Sequence, residues 1–589
     1  MTIEQPVIRT PNSSRWSKQQ WTLFVLIFSL IAGVVYFYNL GEERTISSHE
    51  GFAIIPAGEM LKSGDWVVPM FGGLPRLQKP PLPYWTVAVS SLLWGETEQI
   101  NLAAARLPAA ISAVLLAIFM GYWAFRWYGK SAAIGTLFVQ LTSLYMIMYG
   151  RKAEVDMLNF LLMTVAMFLI IESAPSDSQK RYHARWIGIF ALLSLSWLAK
   201  FHYGLAMVIA PCGLYYLIQK RYKEVINFFH PIGLMLLAAA VIIWPHLVTQ
   251  RLPEAWEIWN SELVVRATGT LDGLQFPIWF YLPLLFWLTL PWTPLALSAI
   301  PHSAWRAWKR KDAHERFLWI WFLVQLAIVT IQPNKHKHYI MAALPVFSLW
   351  SGQAFARIVA RVRDGKPFLN KPWAYLWATV IIAGPTIAAI LSIKSWPFLI
   401  NPILVVSIIP ILLGLIALWF FYQKRFTWGG SFALIALLVL YIGTVGWIIP
   451  GRDHRLPVVY FMQEIRSSLS AEENICVFRI GQDPMIYYLQ QPAFRAEDKE
   501  LLQKELDKQQ RVFVVTQKGH LEQLSQMGEV HVLKTLTTPP NCPPPQYIIH
   551  KRLLLAELTT FQYVQKNGTS LPRTSQAVNH KKTASNQRE

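Results

Sequence analysis

Charged residues are scarce in this chain of 589 residues: they make up 15%, whereas hydrophobic residues make up 53% and aromatic residues 14%. A soluble globular domain usually has about 25% charged residues. The scarcity therefore excludes an ordinary soluble protein and indicates a polytopic membrane protein.

Acidic residues are particularly few, 34 against 54 lysines and arginines, which gives a formal net charge of +20. In a soluble chain such an excess would suggest nucleic acid. Here the basic residues stand in short loops between apolar runs, where they anchor cytoplasmic loops next to anionic lipid. We therefore expect a lipid bilayer, and no nucleic acid, as the partner of this charge.

Cysteine is also rare, and the three cysteines lack the spacing of a metal site: they are Cys212, Cys476 and Cys542. In an oxidising compartment Cys476 and Cys542 would form a bridge or remain two free thiols. No small-residue cleavage site follows the first apolar run, so this run is expected to be retained as a span.

The sequence is rich in apolar segments of about twenty residues, the length that a helix needs to cross the hydrocarbon core. We predict an all-α membrane domain over 21–450 with about 13 transmembrane helices. The expected spans lie near 21–40, 102–125, 132–149, 157–173, 186–199, 203–219, 231–249, 276–300, 317–332, 340–356, 373–393, 398–422 and 431–449. The loops alternate between rich and poor in lysine and arginine, which predicts a cytoplasmic tail over 1–20 and a first external loop over 41–101.

The carboxyl-terminal part has a different character. The β-branched runs "NICVFRI", "RVFVVTQ" and "QYIIHKR" alternate with helix-like stretches such as "KELLQKELDKQQ". We predict a small extracytoplasmic α/β domain over 451–564. The tail 565–589 lacks aromatic residues and periodicity, which predicts disorder.

The first external loop has two distinct parts. "FAIIPAGEML" has apolar residues at helical spacing, which predicts short helices lying in the membrane interface. "QKPPLPYW" follows, and its prolines predict an extended, stiff backbone.

This loop carries a family resemblance. The pattern E-x8-EMLKSGDWVVP, followed by G-x-P-x-L-x-KPPLPYW, resembles the first external loop of the polyprenyl-phosphate-dependent glycosyltransferases of the membrane-embedded C fold. That group includes protein O-mannosyltransferases and lipid A aminoarabinose transferases. Further motifs follow in the same order: "AAARLPAA", "RKAEVDMLNFLLM", "WLAKFHYGLAM", "FWLTLPWTPLAL" and "NKHKHYIMAALP".

The resemblance implies transfer of a sugar, with inversion, from a polyprenyl-phosphate donor to lipid A, another glycolipid, a glycan or a protein on the external face of a bacterial inner membrane. An acceptor hydroxyl needs a group that takes its proton. Family members usually carry an Asp-Glu pair where this chain has His49-Glu50, so His49 or Glu50 is the expected base. Asp156 matches a second family carboxylate. The alternatives are a solvated loop carboxylate for Glu50 and a favourable helix-terminus charge for Asp156.

The departing lipid phosphate needs cations. Lys79 precedes a rigid Pro-Pro pair, and Lys337 and His338 place charge on a face where it is otherwise rare. Arg266 resembles an arginine that the family places in a later external loop. Interfacial snorkelling is the alternative for Lys79, and a loop salt bridge is the alternative for Arg266.

No cofactor is certain from the sequence, and a divalent metal stays an open alternative. A metal site at His336 and His338 is disfavoured because no carboxylate is near them in sequence. Two other functions compete with sugar transfer. A transporter or flippase of a lipid-linked sugar would show two similar halves, and no internal repeat is visible. A catalytically inactive relative that binds the donor is suggested by the missing Asp at position 49.

Overall fold

The computed structural model describes residues 17–42, 46–95, 100–172, 178–268, 276–332, 335–365, 371–423, 425–453, 457–470, 473–480, 485–489, 493–536 and 553–559. Cys542, the expected strand "QYIIHKR" and the tail 565–589 lie outside these residues. The described chain is mostly helical, with a small sheet near its carboxyl end.

The helices follow one another with short connections. In chain order they are α1 (Lys18–Ala32), α2 (Ser48–Ser63), α3 (Leu82–Leu93), α4 (Leu102–Tyr128), α5 (Lys130–Thr142), α6 (Leu144–Gly150), α7 (Asp156–Ile171), α8 (Gln179–Lys200), α9 (His202–Ile218), α10 (Tyr222–Ile226), α11 (Pro231–Arg251), α12 (Ala255–Thr268), α13 (Tyr281–Leu288), α14 (Thr293–Trp308), α15 (Ala313–Ile331), α16 (Leu344–Arg363), α17 (Lys371–Ser395), α18 (Ile400–Tyr422), α19 (Phe426–Gly443), α20 (Ile449–Asp453), α21 (Pro457–Ser468), α22 (Met485–Leu489), α23 (Lys499–Gln509) and α24 (Leu521–Ser525). Two π-helical turns, Gly33–Phe37 and Thr444–Ile448, continue α1 and α19. A 3-10 turn over Lys337–Ala343 leads into α16.

Within the described residues, seven helical segments are long and apolar enough to cross a membrane, and two bent pairs would raise that number to nine. Each of the thirteen expected spans coincides with a helix or a bent pair. The expected spans 132–149 and 276–300 differ from straight helices, because α5 and α6 meet at 53° and α13 and α14 at 112°. Pro291 and Pro294 lie at the second break, where proline removes a backbone donor.

The two breaks meet inside the bundle. Leu144 N donates to the Leu290 carbonyl at 3.0 Å, and the Trp292 indole donates to Thr142 Oγ1 at 2.8 Å. Backbone groups freed by a break in a membrane helix need such partners, because lipid supplies none. The broken helices are therefore tied to one another.

Small side chains line the centre of the bundle. In α4 the residues Ala109, Ala113 and Ala117 are at most 3% exposed. Small residues let helix backbones approach closely, and this packing replaces the hydrophobic effect as the source of helix association in lipid.

The first external loop contains helices as predicted, since "FAIIPAGEML" lies within α2. The expected extended backbone over "QKPPLPYW" is wrong after Pro81, because α3 begins at Leu82. Proline is accepted in the first turn of a helix, where the N–H has no intrahelical partner, and Pro83 lies there. Between the two helices, β1 (Met70–Phe71) and β2 (Leu74–Pro75) form a tight hairpin.

The carboxyl-terminal sheet has five strands in the order β4-β3-β5-β7-β6. They are β3 (Ile475–Phe478), β4 (Ala493–Ala496), β5 (Arg511–Gln517), β6 (Glu529–Thr535) and β7 (Leu553–Thr559). Strands β3, β4 and β5 are parallel, and β7 runs antiparallel to β5 and β6. Helix α21 packs on one face of the sheet and α23 on the other. The predicted strands at "NICVFRI" and "RVFVVTQ" and the helix at "KELLQKELDKQQ" are therefore present.

Candidate active site

The amino terminus of α2 carries the first two residues nominated for proton transfer. Ser47, just before the helix, accepts a hydrogen bond from the Glu50 N–H at 3.2 Å, and its own N–H donates to Glu50 Oε2 at 3.3 Å. This reciprocal capping box fixes where the helix begins. It therefore holds the backbone on both sides of His49.

Glu50 is 1% exposed and forms a buried ion pair with Arg106 of α4, whose Nε lies 2.8 Å from Glu50 Oε1. The same oxygen accepts from the Ala153 N–H at 3.1 Å. Arg106 also donates to the Leu40 carbonyl at 2.9 Å. Both carboxylate oxygens are thus engaged, so Glu50 ties α2, α4 and the segment before α7 together.

Asp156 is the first residue of α7 and is 2% exposed. Its Oδ1 lies 2.5 Å from Lys200 Nζ, at the end of α8, and 3.9 Å from His338 Nε2. Lys200 in turn lies over the rings of Tyr203 and Tyr339, with Nζ 4.7 and 4.6 Å from their centroids. The helix ends thus gather one carboxylate, one ammonium and one imidazole.

His49 faces this group from α2. Its ring centroid lies 5.7 Å from that of His338 and 6.3 Å from that of His336. Burial, followed by the nearby Lys79 ammonium, lowers the pKa of His49 to about 4. The imidazole is therefore neutral at pH 7 and has a lone pair that can accept a proton.

Lys79 is half-buried in the loop before α3 and has no hydrogen bond or ion pair with another residue in the described part of the chain. Burial lowers the pKa of Lys79 to about 8, although the carboxylates of Asp156 and Glu154 act in the opposite direction. The charge of the ammonium interacts electrostatically with His49, Asp156 and Lys200. A half-buried cation of this kind is suited to receive an anion.

Glu154 is a carboxylate that the sequence analysis did not nominate. It is 8% exposed, and its Oε1 accepts a hydrogen bond from the Ser47 hydroxyl at 3.4 Å. Burial, together with the neighbouring Asp156 carboxylate, raises the pKa of Glu154 to about 7. Glu154 is therefore the second group of the site, after Lys79, whose pKa lies near neutral pH.

The structure brings together four of the seven nominated residues, His49, Asp156, Lys79 and His338, with Glu50 directly behind them. Lys337 is exposed at the start of the 3-10 turn. The backbone of Arg266 lies in α12, but its side chain lies outside the described residues.

The described residues do not form a metal site. The rings of His336 and His338 are stacked at 20°, with centroids 5.4 Å apart. Among the described residues, no three His, Cys, Asp or Glu side chains are grouped closely enough to hold a metal ion.

Three residues of the site, Glu50, Arg106 and Lys200, carry sequence signals that indicate the contacts they make. "SSHE" has the S-x-x-E form of a capping box, which predicts a structural role for Glu50. Arg106 is a charge inside an apolar span, and such charges are expected to have a buried partner. Lys200 is a charge at the end of an apolar helix, and a buried partner is expected for it too.

An apolar groove lies next to the end of α8 that carries Lys200, because Leu198 is one of its lining residues. It has a volume of about 460 Å³ and is formed by α3, α8 and α11. Trp85, six residues after Lys79, lines it together with Trp244, and the small residues Ala191 and Ala239 form part of its wall.

Comparison with known proteins shows which family model and which relatives this chain resembles. Residues 78–248 match the family model described as dolichyl-phosphate-mannose-protein mannosyltransferase. The undecaprenyl phosphate-alpha-4-amino-4-deoxy-L-arabinose arabinosyl transferase of Erwinia tasmaniensis is 25% identical over 410 residues, which cover 68% of this chain and 71% of the relative. The protein of the same name from Pseudomonas aeruginosa is 27% identical, over 59% of this chain and only 61% of its own length.

Two crystal structures share the fold over almost their whole length. ArnT from Cupriavidus metallidurans in the apo state has a TM-score of 0.69 at 18% identity, covering 92% of this chain and 98% of that one. The same protein bound to undecaprenyl phosphate has a TM-score of 0.70, also at 18% identity, covering 91% and 98%. The resemblance to polyprenyl-phosphate-dependent glycosyltransferases of the membrane C fold, predicted from the motifs, is therefore confirmed.

Proposed function

We propose that this protein is an inverting glycosyltransferase that moves a sugar from a polyprenyl-phosphate donor to a hydroxyl acceptor. The observation that carries the proposal is the convergence of the neutral His49, the ion-paired Asp156 and the cation Lys79 beside an apolar groove. Sugar transfer needs a proton acceptor on one side of the anomeric carbon and a cation for the departing phosphate on the other. The relatives, which are named for transfer from an undecaprenyl-phosphate sugar, support the same reaction.

His49 is the proposed proton acceptor. The acceptor oxygen attacks the anomeric carbon and loses its proton to the imidazole, while the bond between that carbon and the phosphate oxygen breaks. Donor binding brings a negative charge to Lys79, which removes the main electrostatic cause of the low pKa of His49. Donor binding thus raises the pKa of His49 and makes the imidazole a stronger base for the reaction.

Asp156 and Glu50 have different roles in this proposal. Asp156 orders Lys200 and His338, and remains ionised between them. Glu50 positions His49, because Arg106 and backbone N–H groups already occupy its oxygens. Both residues hold charged or titratable groups in fixed positions during the reaction. Such preorganisation lowers the activation barrier of the transfer.

Lys79 and His338 are proposed to hold the departing phosphate. Lys337 and Arg266 join them only through the family resemblance. The groove along α3 would hold the isoprenoid tail, because its lining is apolar and it begins six residues after Lys79. The sugar and the acceptor are those that the cell envelope supplies. The acceptor would be lipid A, another glycolipid, a glycan or a protein.

The finer topology also belongs to this proposal. Thirteen segments cross the bacterial inner membrane, the N-terminus is cytoplasmic, and the first loop and the α/β domain over 451–564 lie outside. The alternation of basic loops supports this orientation. The two breaks pair their freed polar groups with each other, through Leu144 with Leu290 and Trp292 with Thr142, as polar groups within a membrane must.

Transfer in proteoliposomes tests the proposal. Undecaprenyl-phosphate-linked 4-amino-4-deoxy-L-arabinose and undecaprenyl-phosphate mannose serve as donors, and mass spectrometry of envelope lipids and glycoproteins from cells lacking the protein names the sugar and acceptor. His49→Ala is expected to lower kcat by roughly 100-fold or more, the usual share of a general base. His49→Asp, which restores the family carboxylate, is expected to remain active. Normal transfer by His49→Ala would contradict the assignment, and donor binding without any transfer would identify an inactive relative.

A further inference from the structure

In the described part of the chain, hydrogen bonds join the carboxyl-terminal sheet region to the first external loop, and three of them concern the site. The Tyr488 hydroxyl accepts from the Ile46 N–H at 2.8 Å, and the Tyr487 hydroxyl donates to the Ile100 carbonyl at 3.2 Å. The Arg495 N–H donates to the Gly72 carbonyl at 2.9 Å. Tyr487 and Tyr488 both belong to α22 and pack on the apolar cluster between α2 and α3.

The first of these bonds lies next to the site. Ile46 is 4% exposed and directly precedes Ser47, the cap of α2. Its N–H is three residues from His49, and Tyr488 is its partner from a segment more than 400 residues later. The orientation of the amino terminus of α2 therefore depends on a side chain of the carboxyl-terminal region.

The third bond lies on the Lys79 side of the same loop. Gly72 stands in the β1–β2 hairpin with φ +60°, and a Cβ there would lie 2.6 Å from Ile486 Cδ1 and 3.1 Å from Arg495 Cβ. Its N–H donates to Glu59 Oε1, on α2, at 2.6 Å. The hairpin thus joins α2 to β4 just ahead of the segment that carries Lys79.

We propose that the carboxyl-terminal region positions the reacting groups, with Tyr488 as the positioning residue for His49 and the Gly72 hairpin as the second point of attachment. This inference rests on the proposed function of His49. Tyr488 does not touch the reacting atoms. It holds Ile46, the residue before the Ser47 cap, in place, so that the His49 ring faces His338 and Asp156 when the donor binds.

The matched pair Tyr488→Phe and Tyr487→Phe in the full-length protein tests this. The two variants lose the same hydroxyl from the same helix, but only the first leaves the Ile46 N–H without its partner. Tyr488→Phe is expected to lower kcat by roughly 3- to 10-fold, the effect of one lost hydrogen bond, with the KM for the donor unchanged. It is also expected to shift the acidic limb of the pH–kcat profile, which reports the His49 imidazole. Tyr487→Phe is expected to leave both unchanged.

Hydrogen–deuterium exchange of the same variants gives a readout that does not need sugar transfer. Amides 46–51 are expected to exchange faster in Tyr488→Phe than in wild type, and at the wild-type rate in Tyr487→Phe. If the wild type transfers no sugar, the proposed function fails, and exchange alone then decides the positioning role. Equal exchange in the two variants, or equal losses of kcat with an unshifted pH profile, would overturn the inference.

Discussion

The pH dependence of donor binding is the sharpest test of the role of Lys79. Lys79 is half-buried, and burial lowers the pKa of its ammonium to about 8. In the proposed function the protonated form binds phosphate, so raising the pH through 8 is expected to remove the cation and weaken binding. Lys79→Arg replaces it with a guanidinium that stays charged over the whole range.

The expected size of this effect follows from the pKa. If only the ammonium binds, the Kd rises above its low-pH value by about twofold at pH 8 and about elevenfold at pH 9. Undecaprenyl phosphate has a second ionisation near pH 6, so its own charge is almost constant above pH 7.5. The ratio of the wild-type Kd to that of Lys79→Arg should therefore grow about fivefold between pH 8 and pH 9, and it should approach a tenfold increase per pH unit above that.

The measurement is a titration of undecaprenyl phosphate into the full-length protein in nanodiscs, between pH 6.5 and pH 9.5. Lys62→Arg, at the last turn of α2, is the matched control and should follow the wild type. Lys79→Ala should bind roughly 10- to 150-fold more weakly at pH 7, the usual loss for one charge-assisted hydrogen bond. Parallel curves for wild type and Lys79→Arg above pH 8 would refute the reasoning, because the bound phosphate would then not sense the Lys79 proton.

Four further changes have defined outcomes. Glu50→Gln should lower the free energy of unfolding by roughly 3 kcal/mol, because it leaves the buried Arg106 without its counter-charge; a variant that loses activity at unchanged stability would instead make Glu50 the proton acceptor. Lys200→Met and Asp156→Asn should each lower kcat/KM. The loss of transition-state stabilisation in the double variant should be smaller than the sum of the two single losses, because the partners lie 2.5 Å apart. Strictly additive losses would show that the two residues act independently. Gly72→Ala should be less stable than Gly73→Ala by roughly 1–2 kcal/mol in thermal unfolding, since both have positive φ but only the first meets Ile486 and Arg495 closely; equal losses would show that the hairpin does not dock tightly. On the acidic side, the kcat/KM of the wild type should fall only below about pH 4, where His49 gains a proton and can no longer accept one. The same acidic limb in the residual activity of His49→Ala would assign it to another group.

Most of the fold was predictable because its signals are local. A run of about twenty apolar residues gives a helix wherever it occurs, so all thirteen expected segments are helical. The bends at Ser143 and before Thr293 were not predicted, since they depend on the pairing of Leu144 with Leu290 from a distant helix. The error at Leu82 has a local cause: the run of prolines was interpreted as extended, although proline also starts helices.

The motifs nominated residues that the structure brings together, and the catalytic and binding roles of these residues stay predictions. The motifs nominated His49, Asp156, Lys79 and His338, which converge from three separate segments of the chain. The sequence alone does not show that Glu50 is engaged by Arg106, because that contact joins residues 56 positions apart. Similarly, the pairing of Asp156 with Lys200 arises only when α7 and α8 pack side by side.

His49 stands where family members usually carry an Asp, and this replacement is consistent with the charges around position 49. An ionised Asp at this position would add a second negative charge near Asp156, whose carboxylate already acts electrostatically on His49. A neutral imidazole adds no negative charge to this group, and it still offers a lone pair near the position where the acceptor hydroxyl must lose its proton. The proposed function gives Lys79 two roles: its charge suppresses protonation of His49 before the donor binds, and the donor phosphate then neutralises that charge. We therefore expect the base to be fully effective only after the donor has bound, which predicts ordered binding with the donor first.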